Sequence, residues 1–480
     1  MIMKKILAII FSVFIIFSCT DLEDLNENTK DPAAVPGESL FTSAQKQLVD
    51  QLVSSNVNYN IFRLIMQYWT EVTYTDESNY DLVTRTIPEQ HWEELYRDVL
   101  KDLMEAEKVI LETPLLPSDD PEVRTNKLAI IEIMNVYTWS ILVETFGDVP
   151  YSQALDIEIL NPVYNDGLTI YKDLFTRLDA AMAEIDPVFG SFGVVDNLYQ
   201  GDVTMWLKFA NSLKLRMALL LADIPTEETF VETTVLDALA DGMITSNLEN
   251  ATFSYLGYQP NTNPLYVDLV ASGRYDFVPS MTLVDTMNNW NDPRRPYYYT
   301  MYEGAYVGGE NGVENNYSSL SHPADGIKIP TFEGDIFDYA EVEFLLAEAV
   351  ERGIAVGGTA EQHYNNAITA SILFWGGTVA DATTYLAQPE VAYTTAIGDW
   401  KQKIGTQKWI ALYNRGFEAW TCWRMLDHPV LVAPPDAVSV TPVRLTYPII
   451  EQTLNGINYQ NASDAIGGDD VGTHLFWDLN

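Results

Sequence analysis

The 480-residue sequence predicts a mainly α-helical fold of repeated helix pairs, with loop-rich insertions and little β structure. Three observations predict it. Apolar residues recur at spacings of three and four through most of the chain, the mark of helices with one buried face. Helix start and stop signals bracket many of those runs. One stretch, from about 247 to 338, loses the helical rhythm and is rich in Gly, Pro, Asn and Tyr instead.

The elements follow in order. Phe41, Ala44, Leu48 and Leu52 share one helix face, and Ile61, Leu64, Ile65, Tyr68 and Trp69 repeat the pattern. Thr86 to Glu89 reads as a T-x-x-E capping box with Pro88 in the first turn. The stripe behind it is Trp92, Leu95, Tyr96, Val99, Leu103, Ala106 and Ile110. Asp119 and Asp120 precede a long helix that closes at Phe146-Gly147, with glycine where a left-handed residue ends a helix. Ile170 to Ile185, Trp206 to Ala222 and Thr226 to Ala240 are the next helices. In the loop-rich stretch one short helix is expected near Ser280 to Trp290.

Helices resume at Ala340 to Arg352, which stops at Gly353; Glu341, Glu343 and Glu348 are expected on its solvated face. Thr359 to Gln362 is a second capping box, opening a helix to Phe374. Trp400 to Tyr413 and Phe417 to Leu426 follow, split by Asn414-Arg415-Gly416. Val443 to Ile450 alternates like a strand. Adjacent helix pairs must stack to bury their stripes, in the manner of a tetratricopeptide array, although no strict 34-residue repeat is present.

The first eighteen residues read as a lipoprotein signal peptide. Lys4 and Lys5 give a positive start, and Ile6 to Phe17 is a twelve-residue apolar run, too short for a membrane span of ~20 residues. Ile16-Phe17-Ser18-Cys19 resembles a bacterial lipobox, in which Cys19 is lipidated and becomes the first mature residue. An ordinary secretory signal with a chance cysteine is the competing reading. Residues 19–38 then form an acylated tether that opens on Thr20-Asp21-Leu22-Glu23-Asp24, an acidic stretch that resembles those that send lipoproteins to the cell surface; chance acidity in so acidic a chain is the alternative. Residues 39–480 form a single helical domain.

Charge and composition exclude several functions. The chain has 68 acidic and 27 basic residues, a net charge of −41. Removing Lys4 and Lys5 leaves 25 basic residues against 68, or −43. Nucleic-acid binders need a basic face to neutralise phosphates, and docking on anionic lipid needs one too. The membrane is therefore reached through the lipid anchor only. Two cysteines build neither a disulfide scaffold nor a Cys-based zinc site, and Cys422 reads as core filling.

The catalytic and metal motifs are weak. Ser43 to Lys46 matches S-x-x-K, but its companions S-D-N and K-T-G are missing. His91, His322, His363, His428 and His474 lack metal-ligand spacing. Gly308, Gly309 and Gly312 make no phosphate loop. Asp464 to Asp470 offers oxygen ligands for calcium but lacks EF-hand spacing, and a capped turn is the favoured reading. No cofactor and no metal site are assigned.

Two segments stand out as ligand-facing. Tyr74 to Tyr80 contributes Tyr74, Asp76, Asn79 and Tyr80. Trp290 to Tyr339 holds ten aromatics in fifty residues, 20% against 12% for the whole chain, too many for a glycine-rich loop to hide as one helix stripe. From it come Tyr298, Tyr302, Tyr306, Asn315, Asn316 and Tyr317. Flat amphipathic rings among Asn, Asp and Arg suit sugars, which have apolar faces and hydroxyl edges. The alternative use of these rings is to pack the loop onto the helices.

Six motifs in order carry a family resemblance: Glu144 to Tyr151 (E-T-F-G-D-V-P-Y), Gly201 to Arg216, Trp290 to Arg294 (W-N-D-P-R), Ala340 to Ala349, Gln407 to Tyr413 and Phe417 to Trp420. With them the sequence resembles, essentially end to end, the SusD/RagB family of outer-membrane nutrient-binding lipoproteins. The resemblance implies four tetratricopeptide-like helix pairs in a SusD-like α–α superhelix, and a loop-rich ligand face at about 247–338. It implies a surface lipoprotein that caps a SusC-like TonB-dependent barrel transporter and binds without catalysis. The motifs themselves read as structural, and the family supplies no common sugar-binding signature to transfer. The expected ligand is an oligosaccharide. Peptides are the alternative, with Arg274, Arg294 and Arg295 as carboxylate clamps. A surface glycoside hydrolase and a scaffold without ligand are remoter readings.

Overall fold

The computed structural model describes residues 35–479, and Gly37–Asn480 clusters into one compact unit. The signal peptide, Cys19 and most of the tether lie outside the described residues. Fourteen helices carry the argument. They are α1 Gly37–Val53; α2, continuous through Ile87–Glu93, Glu94–Leu100 and Lys101–Glu112; α3 Pro121–Phe146; α4 Gly167–Glu184; α5 Val203–Leu220; and α6 Glu228–Asp241. They continue with α7 Met281–Asn289, α8 Tyr339–Glu351, α9 Ala360–Phe374, α10 Val379–Leu386, α11 Trp400–Ala411, α12 Gly416–Leu426, α13 Ile449–Leu454 and α14 Gly456–Ala465.

Four pairs form the body: α1 with α2, α3 with α4, α5 with α6, and α8 with α9. The expected stripes face inward. Phe41, Ala44 and Leu48 on α1, and Leu95, Val99, Leu103 and Ala106 on α2, are fully buried. The middle of α2 winds as a π-helix, which still keeps the stripe on the core. Every residue of α3 from Ile133 to Phe146 is buried, so this 26-residue helix, apolar enough to cross a membrane, is the centre of the core. It ends where expected, on Gly147 at φ +84°, a conformation that favours glycine.

Three short antiparallel pairs supply the β structure: β1 Trp69–Glu71 with β5 Phe277–Pro279, β2 Val149–Pro150 with β3 Tyr164–Asn165, and β4 Ala251–Phe253 with β6 Gly334–Phe337. The first pair corrects a sequence reading. Tyr68 and Trp69 do not continue the helix, which lasts only Phe62–Ile65; Gln67 turns left-handed at φ +54° and the chain enters β1. Trp69 remains buried because its indole N–H donates to the Tyr413 hydroxyl at 2.7 Å.

Other expectations need revision. Thr86 sits at φ +51° and its side chain caps nothing, so the first box is not formed, whereas Thr359 accepts from the Gln362 N–H at 3.1 Å. Val443 to Ile450 is no strand. Its N–H groups reach scattered partners, Val443 to Val471 and Leu445 to Thr145, rather than one ladder, and Ile449 already starts α13. α10 was not anticipated; its signal is a T-x-x-D box in which Thr378 and Asp381 cap each other.

The largest correction concerns α8. Glu341, Glu343 and Glu348 are buried, not solvated. Glu341 accepts from the buried Arg415 guanidinium at 2.6 Å, Glu343 pairs with His363 at 2.6 Å, and Glu348 pairs with Arg352 at 2.8 Å. Two cations near it, Arg415 and Arg216, hold the Glu341 carboxyl below its ordinary range although burial pushes the other way. Cys422 is core filling, and burial pushes its thiol up to about 12. Asp469 pairs with Arg444 at 2.6 Å and Asp470 caps the Gly472 N–H at 2.8 Å. Both carboxylates thus hold the turn, and no acidic or histidine cluster suited to a metal occurs among the described residues.

Glu71 ends β1 in a buried turn. Its carboxylate accepts from the Ser78 N–H at 2.8 Å, and the Ser78 hydroxyl receives the Glu71 N–H at 3.0 Å. Burial, then the adjoining Glu77, push the Glu71 carboxyl from 4.5 up to about 8.

Two outcomes are expected. Arg415→Met leaves Asp338 and Glu418 without their buried cation and Glu341 with Arg216 alone, at 3.7 Å, and destabilises the fold by about 3–5 kcal/mol in denaturant titration. Adding Glu341→Gln recovers part of that loss. For Glu71, the folded state holds a proton that the unfolded chain releases near pH 4.5, so its contribution is full below 4.5 and is lost as pH rises through about 8. The unfolding midpoint of Glu71→Gln therefore falls less between pH 5 and 9 than that of the parent chain; parallel curves would overturn the assignment.

Candidate functional site

The β1–β5 pair is the floor on which several loops converge. The ladder runs one step past β1, where the Val72 N–H donates to Asp276 O at 2.8 Å. The Asn315 N–H then donates to Val72 O at 2.8 Å and brings in the 310–322 loop. Thr300 and His322 exchange bonds, Thr300 N–H to His322 O at 2.9 Å and His322 N–H to the Thr300 hydroxyl at 3.0 Å. Val72, Asp276 and Asn315 therefore meet at one edge, and Thr300 is tied to the end of the 310–322 loop.

Three rings stack there. Tyr317 lies on His322 with centroids 3.8 Å apart and planes 9° from parallel. Tyr275 meets the same Tyr317 at 4.8 Å, tilted by 49°. Tyr317 contacts both others and is the middle ring. Tyr275 is 66% exposed and Tyr74, just past β1, is 64% exposed. Asp76, two residues after Tyr74, is exposed, and Arg274 is paired with Asp276 at 2.6 Å.

Most of the polar residues expected to touch ligand instead build the loops. Asn315 is saturated by backbone: its amide donates to Glu310, Val313 and Glu71 carbonyls, and its oxygen accepts from the Glu310 N–H at 3.1 Å. Asn316 caps the turn that presents Tyr317, accepting from the Ser318 N–H and hydroxyl at 3.2 and 2.8 Å. Asn79 is buried, with its amide on Thr75 O and Gly312 O at 2.9 and 2.7 Å. Gly312 must be glycine here: it sits at φ +72°, and a Cβ would lie 2.4 Å from the Asn79 oxygen. These three are positioning residues.

Two expected ligand rings are core. Tyr298 has no exposure; it stacks on Tyr413 at 4.1 Å and donates its hydroxyl to Ile410 O at 2.9 Å. Tyr80 is 2% exposed at φ +66°. Neither can meet a surface ligand, because the same apolar ring area that suits a sugar was worth more against the helices. Tyr302 is half-buried in a tight turn with Ala305, and Tyr306 is half-buried under the Arg295 guanidinium at 5.4 Å.

The arginine clamp also dissolves. Arg294 is fully buried on Asp292, and Arg295 is held by Asp292 O and Asn288 at 3.0 and 3.1 Å. Sequence reasoning missed Tyr275 and His322 as ring partners. Tyr275 lay outside the aromatic-rich window, and its only signal is the exposed-type triplet Arg274-Tyr275-Asp276 before the apolar Phe277-Val278-Pro279. His322 was weighed only as a metal ligand.

The arrangement offers a partly exposed aromatic surface, which suits binding of a ligand with a flat apolar face.

Known proteins share this architecture. The SusD-like family model, described as starch-binding and associating with the outer membrane, matches residues 28–448. A solved chitin-binding protein is 26% identical, over 92% of this chain and 100% of that one, with a TM-score of 0.79. A SusD homologue from Bacteroides uniformis is 25% identical over 92% and 99%, TM-score 0.74. A chitin-binding SusD homologue from Flavobacterium johnsoniae is 22% identical over 92% and 98%, TM-score 0.76, and shares the fold. No curated protein matches in sequence. With a family match that spans most of its length, the four helix pairs and the loop-built edge, the chain belongs to the SusD-like family.

Proposed function

We propose that the chain is a cell-surface lipoprotein that captures a glycan oligomer and delivers it to a partner TonB-dependent barrel transporter of the outer membrane. The observation that carries the reading is the Tyr275–Tyr317–His322 stack, exposed at Tyr275 just before β5 and held at its other end by the Thr300–His322 bonds. Ring faces bury the C–H faces of a pyranose at little entropic cost, and Asp76 accepts from its hydroxyls. Family membership supports outer-membrane association and starch-type ligands, and the chitin-binding relative supports a polysaccharide more broadly. The lipid anchor at Cys19, the surface location, the barrel partner and binding without catalysis rest on the sequence resemblance.

Peptide binding is the second reading. It is weakened because Arg294 and Arg295 are occupied by protein partners and Arg274 is paired with Asp276.

The test is calorimetric titration with malto- and chito-oligosaccharides. Tyr275→Ala with Tyr317→Ala is expected to weaken binding at least about tenfold, or ~1.4 kcal/mol, with the helical circular dichroism unchanged. No binding of any oligosaccharide to the parent chain sinks the glycan reading. Pull-down from membranes is expected to recover a TonB-dependent barrel; its absence sinks the delivery step.

A further inference from the structure

We propose a second saccharide site, separate from the ring stack, in the groove beside Trp290. The groove has a volume of about 410 Å³, within the range of small-ligand sites. It opens between the end of α7, the N-terminal half of α11, the 390–397 loop and the segment 428–430. α7 begins beside the β1–β5 floor at Ser280 and ends at Trp290, so its nine residues, ~14 Å long at ~1.5 Å per residue, carry the chain from that floor to the groove.

The walls are held from behind. Gln388 donates to Trp290 O at 2.7 Å, and the Tyr364 hydroxyl donates to Val391 O at 2.8 Å. Val391 is fully buried, which pins the 390–397 loop. The groove is therefore a formed feature and not a gap between loose segments.

Its lining combines a broad apolar face with polar groups that face the groove's water rather than a protein partner. Trp290, Ile397 and Val430 supply the apolar surface. The Trp290 indole N–H, the Thr406 hydroxyl and the His428 imidazole make no hydrogen bond to another described residue. One donor, one hydroxyl that both donates and accepts, and one imidazole around an aromatic plate match a ring with C–H faces and hydroxyl edges. Charge narrows the class. The lining holds one carboxylate, Glu390, and one ammonium, Lys403, which cancel, and the Lys403 ammonium lies 5.2 Å over the Tyr393 ring. The ligand is therefore a neutral pyranose unit, not an anionic sugar. A zwitterionic peptide would need that ammonium free.

The experiment uses the full chain carrying Tyr275→Ala and Tyr317→Ala, titrated with maltotriose and with diacetylchitobiose. At least one sugar is expected to bind this variant with a stoichiometry of one. Adding Thr406→Val, or separately Trp290→Phe, is expected to weaken that binding about three- to tenfold, the worth of one hydrogen bond, with the thermal midpoint unchanged. If the parent chain binds sugar and the ring-stack variant does not, the groove proposal is overturned while the ring-stack reading stands. If binding survives in the ring-stack variant but ignores both groove substitutions, the groove proposal is overturned. Binding of dialanine at the groove in preference to either sugar also overturns it.

Discussion

The ion pair between Arg415 and Glu341 is the contact on which the assembly of the helices rests. A guanidinium removed from water is costly unless its partners are close and well aimed. Arg415 reaches Glu341 at 2.6 Å and the Ile336 carbonyl at 2.7 Å, which fixes β6, α8 and the loop before α12 in one relation. Glu418, at the start of α12, accepts from the Tyr137 hydroxyl at 3.0 Å and adds α3. The preceding residue extends the network: Asn414 receives Arg63 through both its carbonyl and its side chain, at 3.0 and 2.9 Å. Arg63 lies in the turn that feeds β1, and Trp69 of β1 is bonded to Tyr413. The floor of the ring stack is thus tied, through three consecutive residues, to the charge pair at the centre of the molecule.

Helix positions were legible in the sequence because burial of one face leaves a periodic trace. The stripes of α1, α2 and α4, and the stop at Gly147, are local facts about spacing and backbone freedom. What periodicity does not carry is the identity of the partner on the far side. Glu341 looks solvated in sequence because nothing near it in the chain shows that Arg415, 74 positions away, will meet it. Tyr298 and Tyr317 share composition and context, yet one packs on Tyr413 and the other on His322. Val443 to Ile450 alternates as a strand would, but no neighbouring strand arrives to complete a ladder.

The site shows the same division. Aromatic density pointed to the 290–339 stretch, and two rings of that stretch, Tyr317 and His322, do stack. Asn79, Asn315 and Asn316 are in the right place with a different task. Asparagine competes for backbone groups in turns, so an asparagine-rich loop tends to spend its amides on itself. Tyr275 was invisible because its contribution depends on β1 and β5 pairing across about two hundred residues of chain.

The ring stack has a kinetic consequence. Tyr317 is backed by His322, and Tyr275 and Tyr74 keep about two-thirds of their surface in water. In the proposed role, a chain lying there would be touched along one side and could leave by peeling, one unit at a time. Dwell time then grows with the number of units in contact and not with the height of a gate, so short fragments exchange fast while long ones linger. On the proposed glycan-binding reading, such a surface sorts its ligands by length.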